Sequence, residues 1–225
     1  MANASDAFTY TTDADLTGQG AAGSGWNEAW QLAAASNTLV VRTGGQAGNA
    51  ANASAANADY GNDRDLSAGV SNGHGSFYGK NITNGNSGNT ALEFRATDGT
   101  TRFILRMRRS GLDSKCHLVG ATTDSTTMGT WTDDTWHLFE YEFGTDGTLS
   151  GSAPGTNNVK MRKDGGSWTS VIGFSNNGTV ANIYPSYNGG GGGVAGGIDT
   201  FDLVDADAGG GGSRIPLKTL LGVGT

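Results

Sequence analysis

The sequence has little cysteine, little proline and fewer basic than acidic side chains, and each shortage narrows what the protein can be. One cysteine, Cys116, cannot form an intrachain disulfide, so a disulfide-stapled scaffold is excluded, and no cluster of Cys and His has zinc-finger spacing. The 14 basic residues are outnumbered by 21 acidic ones, which gives a formal net charge of -7. A nucleic-acid partner is therefore not expected, because binding to phosphates needs an excess of Lys and Arg.

Long apolar runs are missing as well. No stretch approaches the roughly 18 consecutive apolar residues that cross a bilayer, so no membrane partner is expected. The opening residues, MANASDAFTY, contain neither the basic segment nor the apolar segment of a secretory signal. We therefore expect a soluble protein that is made in the cytoplasm without a classical export signal.

Glycine and small polar residues dominate what is present. The chain has 39 glycines and 3 prolines, and a composition rich in Gly, Asn, Ser and Thr is typical of turn-rich all-β proteins. Asn-Gly or Asp-Gly pairs begin at positions 72, 84, 98, 146, 164, 177 and 188. Most of them separate short stretches of β-branched and aromatic residues, and no amphipathic helix of three turns is evident. The predicted fold class is all-β, an antiparallel two-sheet β-sandwich.

The clearest hairpin is ALEFRATDGTTRFILRMR, residues 91–108. Its central Asp-Gly pair is a two-residue turn signal. With that pair at the tip, Phe94 lies opposite Phe103 and Leu92 lies opposite Leu105, so one face of both strands is apolar.

The other face of this hairpin is mixed in charge and polarity. The same register places Arg95 opposite Arg102, which is unfavourable unless Glu93 or another acid lies between them. A mixed face of this kind is expected where a sheet meets water.

Further strands follow the hairpin. They are KCHLVGATT, TWHLFEYEFG, NVKMRK, SWTSVIGF, GTVANIYPSY and GIDTFDLVDA. Alternation along HLFEYEF separates two sets of side chains, which are His137, Phe139, Tyr141 and Phe143 on one side and Leu138, Glu140 and Glu142 on the other.

Three segments interrupt the strand pattern. Residues 45–62, GQAGNAANASAANADYGN, are small and polar, so we expect a long surface loop or a poorly packed excursion. Residues 188–197, NGGGGGVAGG, are expected to form a glycine turn. Residues 208–225 begin with a flexible glycine linker and end in an apolar peptide. The predicted domains are a β-sandwich over residues 1–207 and a linker with a docking peptide over 208–225.

Three stretches carry a family resemblance by their order and spacing. They are DAFTYTTDADLTGQGAAGSGWNEAW, TWHLFEYEF and GGIDTFDLVD. Together they resemble the concanavalin A-like, laminin-G-like jelly-roll superfamily, of the type encoded by bacteriophages and bacteria, over about residues 6–206. The resemblance implies two antiparallel sheets packed face to face with the first and last strands adjacent. It also implies sugar binding as a class of function.

Glu140 and Glu142 are the candidate catalytic acids. They lie roughly 6 to 7 Å apart along one strand face, and a retaining glycosidase needs about 5 to 5.5 Å between its carboxyl groups. The hydrolase signature of the resembled family, Glu-x-Asp-x-x-Glu or Glu-x-Asp-x-Glu, has a central Asp that FEYEFG lacks. We therefore predict no catalytic residue and no enzyme, and expect the two acids to pair with Lys160 or Arg162 on a solvated face.

Sugar binding needs exposed aromatic rings beside polar acceptors. The segment NIYPSYNGG supplies Tyr184, Tyr187 and Asn188, which are the predicted ligand-binding residues. The segment HGSFYGKN supplies His74 and Tyr78 as an alternative.

No cofactor and no metal site are predicted. The acidic runs DLVDADAG and TWTDD offer oxygen ligands for calcium, but neither has the spacing of an EF-hand loop. We expect these acids to end a strand or to keep a sheet edge soluble. His137 is expected to be a satisfied hydrogen-bonding residue rather than a base, and Cys116 a buried packing residue rather than a nucleophile.

The apolar peptide beyond the glycine linker is the predicted docking segment. Its apolar members are Ile215, Leu217, Leu220, Leu221 and Val223. Water penalises such a peptide unless it packs on its own domain or on a partner. We therefore expect a non-enzymatic virion structural protein of a bacteriophage, a capsid decoration, fibre or tail appendage that contacts other virion proteins and forms a homo-oligomer. The alternative is a carbohydrate-binding module that recognises host or environmental polysaccharide.

Overall fold

The fold is known for most of the chain. The computed structural model describes residues 3–22, 25–33, 37–46, 48–53, 58–81, 88–95, 101–110, 113–120, 125–132, 134–146, 149–173, 179–189 and 196–206. Within these ranges the chain forms fifteen β-strands and no α-helix. A helix long and apolar enough to cross a membrane is likewise absent from them.

The strands are short to medium in length. They are β1 Ala4–Asp6, β2 Gln31–Leu32, β3 Val40–Thr43, β4 Asn49–Asn52, β5 Asp59–Val70, β6 Gly73–Lys80, β7 Gly88–Arg95, β8 Thr101–Ser110, β9 Asp113–Val119, β10 Ser125–Thr130, β11 His137–Gly144, β12 Gly155–Lys163, β13 Ile172–Gly173, β14 Val180–Gly189 and β15 Gly197–Asp205.

These strands form two antiparallel sheets that pack face to face. The eight-stranded sheet has the order β13-β12-β11-β6-β15-β4-β3, with β1 paired to β15, and the seven-stranded sheet has the order β10-β9-β8-β7-β14-β5-β2. The predicted all-β sandwich is confirmed. Ala4 of β1 lies opposite Leu203 of β15, so the first and last strands are adjacent, as the family resemblance implied.

An aromatic core fills the space between the sheets. Its largest members come from alternate positions of the strands and are less than 2% exposed: Phe77, Phe94, Phe103, Phe139, Tyr141 and Phe143. Phe94 stacks on Phe103 with 4.3 Å between ring centroids and meets Tyr141 of the other sheet edge-on at 4.6 Å. Aromatic pairs of this kind contribute about 0.5–1.5 kcal/mol each beyond the burial of their surface.

The predicted hairpin register is confirmed in β7 and β8. Phe94 lies opposite Phe103, and Leu92 lies opposite Leu105. The turn that joins the two strands falls within residues 96–100, outside the described ranges.

A β-bulge corrects the prediction for the mixed face of the hairpin. The ladder shifts after Phe94, so Arg95 lies opposite Thr101 and not opposite Arg102. Arg95 forms an ion pair with Glu93, with 2.8 Å between Nη2 and Oε2. The bulge and the acid together remove the predicted contact between two arginines.

Two predictions of local structure were wrong. Residues 45–62 are not a surface loop, because they contain β4 and the beginning of β5, and Ala50, Ala51 and Ala53 are at most 1% exposed. β4 lies between β3 and β15, and methyl side chains fill these close-packed positions although their apolar area is small. SWTSVIGF is mostly irregular, since β13 covers only its Ile172–Gly173 pair.

A buried ion pair connects the two sheets. Arg64, on the inner side of β5, donates from Nη1 to Oδ2 of Asp6 in β1 over 2.7 Å, and these side chains are 3% and 4% exposed. The indole Nε1 of Trp30 donates to the same Oδ2 over 2.8 Å. The backbone N–H of Phe8 donates to Oδ1 over 2.7 Å. The carboxylate is therefore both paired and hydrogen-bonded, as a buried charge requires.

Each nitrogen of the Arg64 guanidinium has a partner. Nε donates to the carbonyl oxygen of Glu28 over 2.8 Å, and Nη2 donates to that of Ala21 over 2.9 Å. The guanidinium carbon lies 4.4 Å from the ring centroid of Trp26, within the range of a cation–π contact. The segment around residues 21–28 is thus held in place by one arginine.

Replacing Asp6 with asparagine is expected to lower the free energy of unfolding by about 3–5 kcal/mol, because Arg64 would remain buried without its counter-charge. Urea unfolding followed by tryptophan fluorescence measures the loss. Asp13→Asn is the matched control, since Asp13 pairs with Arg42 at the surface, where the Asp and Arg side chains are 68% and 43% exposed. That control should lose no more than about 1 kcal/mol. Equal losses in the two variants would contradict a special role for the buried pair.

Candidate functional site

Glu140 and Glu142 lie on the outer face of the eight-stranded sheet, opposite Arg162 and Lys160 of β12. Arg162 donates to both oxygens of Glu140, from Nε over 2.7 Å and from Nη2 over 2.8 Å. Lys160 Nζ lies 2.9 Å from Oε1 of Glu142. The predicted pairing of these acids with the neighbouring strand is confirmed.

Glu142 differs from the prediction in its burial, because it is 0% exposed rather than solvated. Its carboxylate accepts hydrogen bonds from the backbone N–H groups of Leu149, at 2.6 Å, and Ser150, at 3.0 Å. The hydroxyl of Ser150 donates to it as well, at 2.5 Å. These contacts make Glu142 an anchor for the segment after β11.

The predicted sugar-binding residues lie on β14 but on different sides of it. Tyr187 is 2% exposed and packs against Tyr60 with 6.5 Å between ring centroids. Its ring is part of the core, so the predicted exposed stacking platform does not fit this residue. Tyr184 lies on the outer face. Asn188 pairs through its backbone with Asn89 of β7, and a sugar contact at Tyr184 or Asn188 stays a prediction.

The alternative pair, His74 and Tyr78, lies on β6 in the eight-stranded sheet. Burial raises the pKa of Tyr78, and the nearby charges of Asp199 and Asp164 raise it further. The Nδ1 of His74 is buried and has no hydrogen-bond partner. These two side chains belong to the opposite face of the sandwich from Tyr184.

His137 and Cys116 have the structural roles that the sequence predicted. His137 Nδ1 lies 2.7 Å from Oδ2 of Asp164, and the backbone N–H of Thr132 donates to Nε2 over 3.1 Å. Both ring nitrogens are therefore hydrogen-bonded, and Nε2 carries no proton in this arrangement. Cys116 is fully buried, and burial raises the pKa of its thiol to about 12, which opposes a nucleophilic role.

A groove of about 450 Å³ lies on the outer face of the seven-stranded sheet, above β5 and β14. Its polar lining side chains are those of Asn27, Asp63, Asp65, Ser67, Arg95 and Asn182. Alternation explains the arrangement, because Arg64 and Leu66 of β5 are buried in the core, whereas Asp63 and Asp65, which alternate with them, face outward. The groove volume lies within the range of about 300–1,000 Å³ that is usual for small-molecule sites.

Asn182 is the central side chain of this groove. It lies opposite Asp65 on β5 and opposite Arg95 on β7. Its Nδ2 donates to Oδ1 of Asp65 over 2.8 Å and to Oδ2 of Asp63 over 3.3 Å. Asn182 is only 8% exposed, and its Oδ1 has no hydrogen-bond partner. A buried polar atom without a partner carries a cost that native structures usually avoid outside functional sites.

Burial disfavours the charged forms of two carboxyl groups, Asp63 in the lining of the groove and Glu28 nearby. Burial raises the pKa of Asp63, and the charge of Asp65 raises it further, whereas Asn182 and Arg95 oppose the change. Partial burial also raises the pKa of Glu28, to which the charges of Asp65 and Asp63 add. Both shifts mean that these carboxylates are less stable as anions in the folded chain than in water.

Arg95, which lines the groove, stacks on Tyr184. The guanidinium carbon of Arg95 lies 3.5 Å from the centroid of the Tyr184 ring. The ring itself rests on Gly61, where a Cβ atom would lie 2.5 Å from the tyrosine oxygen. Glycine is thus required at this position for the ring to lie flat against β5.

Metal ligation finds no support in the described part of the chain. No group of three or more His, Cys, Asp or Glu side chains there lies close enough together to hold an ion. Of the two predicted acidic runs, Asp133 and Asp207 lie outside the described ranges.

Solved structures with the same fold are numerous, although no family model and no curated protein sequence matches this chain. A sialidase aligns with a TM-score of 0.54 at 11% identity over 79% of this chain, and the aligned region is 17% of the sialidase. A β-glucanase from Bacillus licheniformis aligns with a TM-score of 0.51 at 12% identity, over 91% of this chain and 98% of the enzyme. The transglycosylase Crh5 aligns with a TM-score of 0.54 at 12% identity, over 92% of this chain and 85% of the enzyme.

The chain has the jelly-roll β-sandwich fold. This agrees with the concanavalin A-like resemblance found in the sequence. At 12% sequence identity, the similarity to these enzymes shows a shared fold and says nothing about a shared ligand.

The sequence contains a signal for the groove that composition alone does not reveal. In DYGNDRDL, Asp63 and Asp65 alternate with Asn62 and Arg64, which is a period of two with acids on one side. The segment 45–62 is poor in apolar side chains, so composition predicts a loop where this strand begins. Asn182 gave no signal of its own, because its role depends on the pairing of β14 with β5.

Asp63→Asn is expected to stabilise the protein near neutral pH. A carboxyl group whose pKa is raised by folding is favourable below its unfolded pKa and costs stability as pH rises through the folded value. The gain should be no more than about 1 kcal/mol, because water partly screens the site. It should vanish near pH 3, below the ordinary pKa of Asp of about 3.9. Urea unfolding at both pH values checks this, with Asp59→Asn on the exposed start of β5 as control. A stability loss at neutral pH would contradict the strained state of Asp63.

Proposed function

We propose that this protein binds a carbohydrate, without cleaving it, in the groove formed by Asp63, Asp65, Asn182 and Arg95. The observation that carries the proposal is the buried amide of Asn182. Its Nδ2 is held by two carboxylates while its Oδ1 has no partner, at the floor of an open groove. Sites that bind polar ligands keep such groups in place for the ligand rather than for the fold.

The chemistry of the groove suits hydroxyl groups. Each sugar hydroxyl can donate one hydrogen bond and accept others, and the carboxylates of Asp63 and Asp65 are acceptors with partly open faces. The alanines Ala68 and Ala181 provide apolar surface beside them. The Arg95 guanidinium, stacked flat on Tyr184, forms a planar edge that can face a sugar ring.

Hydrolysis is the second candidate function, because one observation favours it. Asp63 has a raised pKa, and its Oδ2 lies at most 6.1 Å from Oδ1 of Asp65, the sum of the 3.3 and 2.8 Å bonds that Asn182 makes to them. A retaining glycosidase needs about 5 to 5.5 Å between its carboxyl groups. Against cleavage, the amide nitrogen of Asn182 lies between the two acids, where a glycosidic bond would have to be placed.

Asn182→Ala is expected to weaken glycan binding about tenfold, because one hydrogen-bonding side chain is worth about 1 to 1.5 kcal/mol and 1.4 kcal/mol is a factor of ten. A glycan array with wild-type protein identifies the ligand, and calorimetry then compares the variants. Asp59→Asn, on the same strand but away from the groove, should bind normally.

The same glycan also distinguishes binding from cleavage. After long incubation with wild-type protein, its chain length should be unchanged by chromatography. If the wild-type protein shortens the glycan and both Asp63→Asn and Asp65→Asn abolish the shortening, the protein is a hydrolase and the binding proposal is wrong. Absence of binding to every glycan would refute both.

We also propose that the sandwich is a non-enzymatic virion component of a bacteriophage, anchored through its C-terminal segment. The support comes from the sequence, since residues 208–225 lie outside the described ranges. A glycine run is followed there by an apolar peptide, which is more stable when packed on a partner than in water. The groove would then bind the glycan, and the C-terminal segment would attach the protein to the particle.

Deletion of residues 209–225 is expected to leave the urea midpoint unchanged and to abolish self-association or incorporation into particles. Light scattering after size-exclusion chromatography measures self-association, and the protein composition of purified particles measures incorporation. Replacement of Leu220 and Leu221 by serine in the full chain is the matched variant. Assembly of the truncated chain at the wild-type level would show that the segment is not an anchor.

A further inference from the structure

We infer that the groove is selective for a cationic amino sugar, a glycan whose amines are protonated, over neutral and acidic glycans. The inference rests on the proposed function and names the ligand class of the same site. It follows from an excess of acceptors and negative charge among the side chains that line the groove.

The charges of the groove do not balance. Among its described lining residues, Asp63 and Asp65 are anionic and Arg95 is the one cation. Arg95 is already engaged, because its Nη2 lies 2.8 Å from Glu93 and its Nε donates to the same carboxylate over 2.9 Å. A cationic ligand would supply the charge that the groove lacks.

Arg64 does not fill this gap, although it stands between the two acids in sequence. It points to the opposite side of β5, into the core, where it pairs with Asp6. Glu28, outside the lining, is a further carboxylate near these acids, because its pKa is raised by burial and by the charges of Asp65 and Asp63. An acidic glycan would therefore be repelled, whereas an ammonium group would be attracted.

Hydrogen-bonding capacity gives an independent reason for the same ligand class. The donor group of Asn182 is used by both carboxylates, and its Oδ1 is an acceptor to which no described group donates. A ligand that brings donors fits this lining better than one that brings acceptors. An ammonium group has three donors and no acceptor.

A metal ion fits the groove less well than an ammonium group does. No cluster of three or more ligating side chains exists in the described ranges, and Arg95 lies beside the two acids. A protonated sugar amine needs only two carboxylates within hydrogen-bonding distance. The hydroxyl groups of the same sugar ring can then bond to Asn182 and Arg95.

Calorimetry with the full chain tests the inference at about pH 5.5, because the oxygens beside a sugar amine lower its pKa below that of an ordinary aliphatic amine, and the amine must be protonated. The probes are the hexamer of glucosamine, the hexamer of N-acetylglucosamine, cellohexaose and an oligomer of galacturonic acid. The glucosamine hexamer should bind about tenfold more tightly than either uncharged oligomer, and the acidic oligomer should bind least. This preference should shrink as salt is raised, because the carboxylates are partly exposed.

Asp65→Asn should weaken binding of the glucosamine hexamer more than it weakens binding of the uncharged oligomers, and so remove most of the preference, because the amide keeps the shape and one acceptor but loses the charge. Asp59→Asn makes the same charge change on the same strand outside the groove and should keep the preference. Equal binding of charged and uncharged oligomers would overturn the inference and leave the proposed function standing. Binding of a lysine hexapeptide as tight as that of the glucosamine hexamer would also overturn it, since charge alone would then suffice. No binding of any sugar would refute the proposed function itself.

Discussion

The ion pair between Asp6 and Arg64 fixes the strand on which the groove depends. Because side chains alternate along β5, drawing Arg64 into the core turns its two sequence neighbours, Asp63 and Asp65, outward together. The pair also joins the two sheets, since Asp6 belongs to the first strand of one and Arg64 to the other. The buried contact between Asp6 and Arg64 thus determines that Asp63 and Asp65 face the solvent, and so determines where the groove lies.

The groove concentrates features that reduce stability. The carboxyl group of Asp63 is held where burial disfavours its charged form, and the amide oxygen of Asn182 has no partner. Glu142, on the other sheet, is by comparison compensated by Lys160 and by two backbone donors. The contrast between a compensated and an uncompensated acid on opposite faces of one fold is the reason to place function in the groove.

Local pattern was enough to predict much of the fold. The Asp-Gly turn and apolar alternation gave the register of β7 and β8, and the spacing of charges gave the pairs of Glu140 and Glu142 with β12. The bulge at Arg95 was not predictable, because it depends on how the ladder closes near the turn.

The candidate site was harder to predict, because it depends on contacts between distant segments. Ala50 and Ala51 were assigned to a loop because composition measures apolar mass and not how tightly strands pack. Tyr187 was assigned to the surface because a ring beside Asn and Gly gives no sign of which side of the strand it takes. Asn182 meets its carboxylates 117 and 119 positions away in the chain, and no local pattern encodes that meeting.

The pairing of β1 with β15 has a mechanical consequence. Residues 4 and 203 are opposite each other, and the N–H of Asp205 donates to Asn3 over 3.0 Å, so both strands can be pulled from the same end of their ladder. Tension applied there opens the ladder one hydrogen bond after another, like a zipper, instead of shearing all of them at once. Peeling would stop at Asp6, where the strand is tied through Arg64 to the opposite sheet. A force on the two ends would therefore first open the β1–β15 ladder and would then have to break the buried ion pair between Asp6 and Arg64.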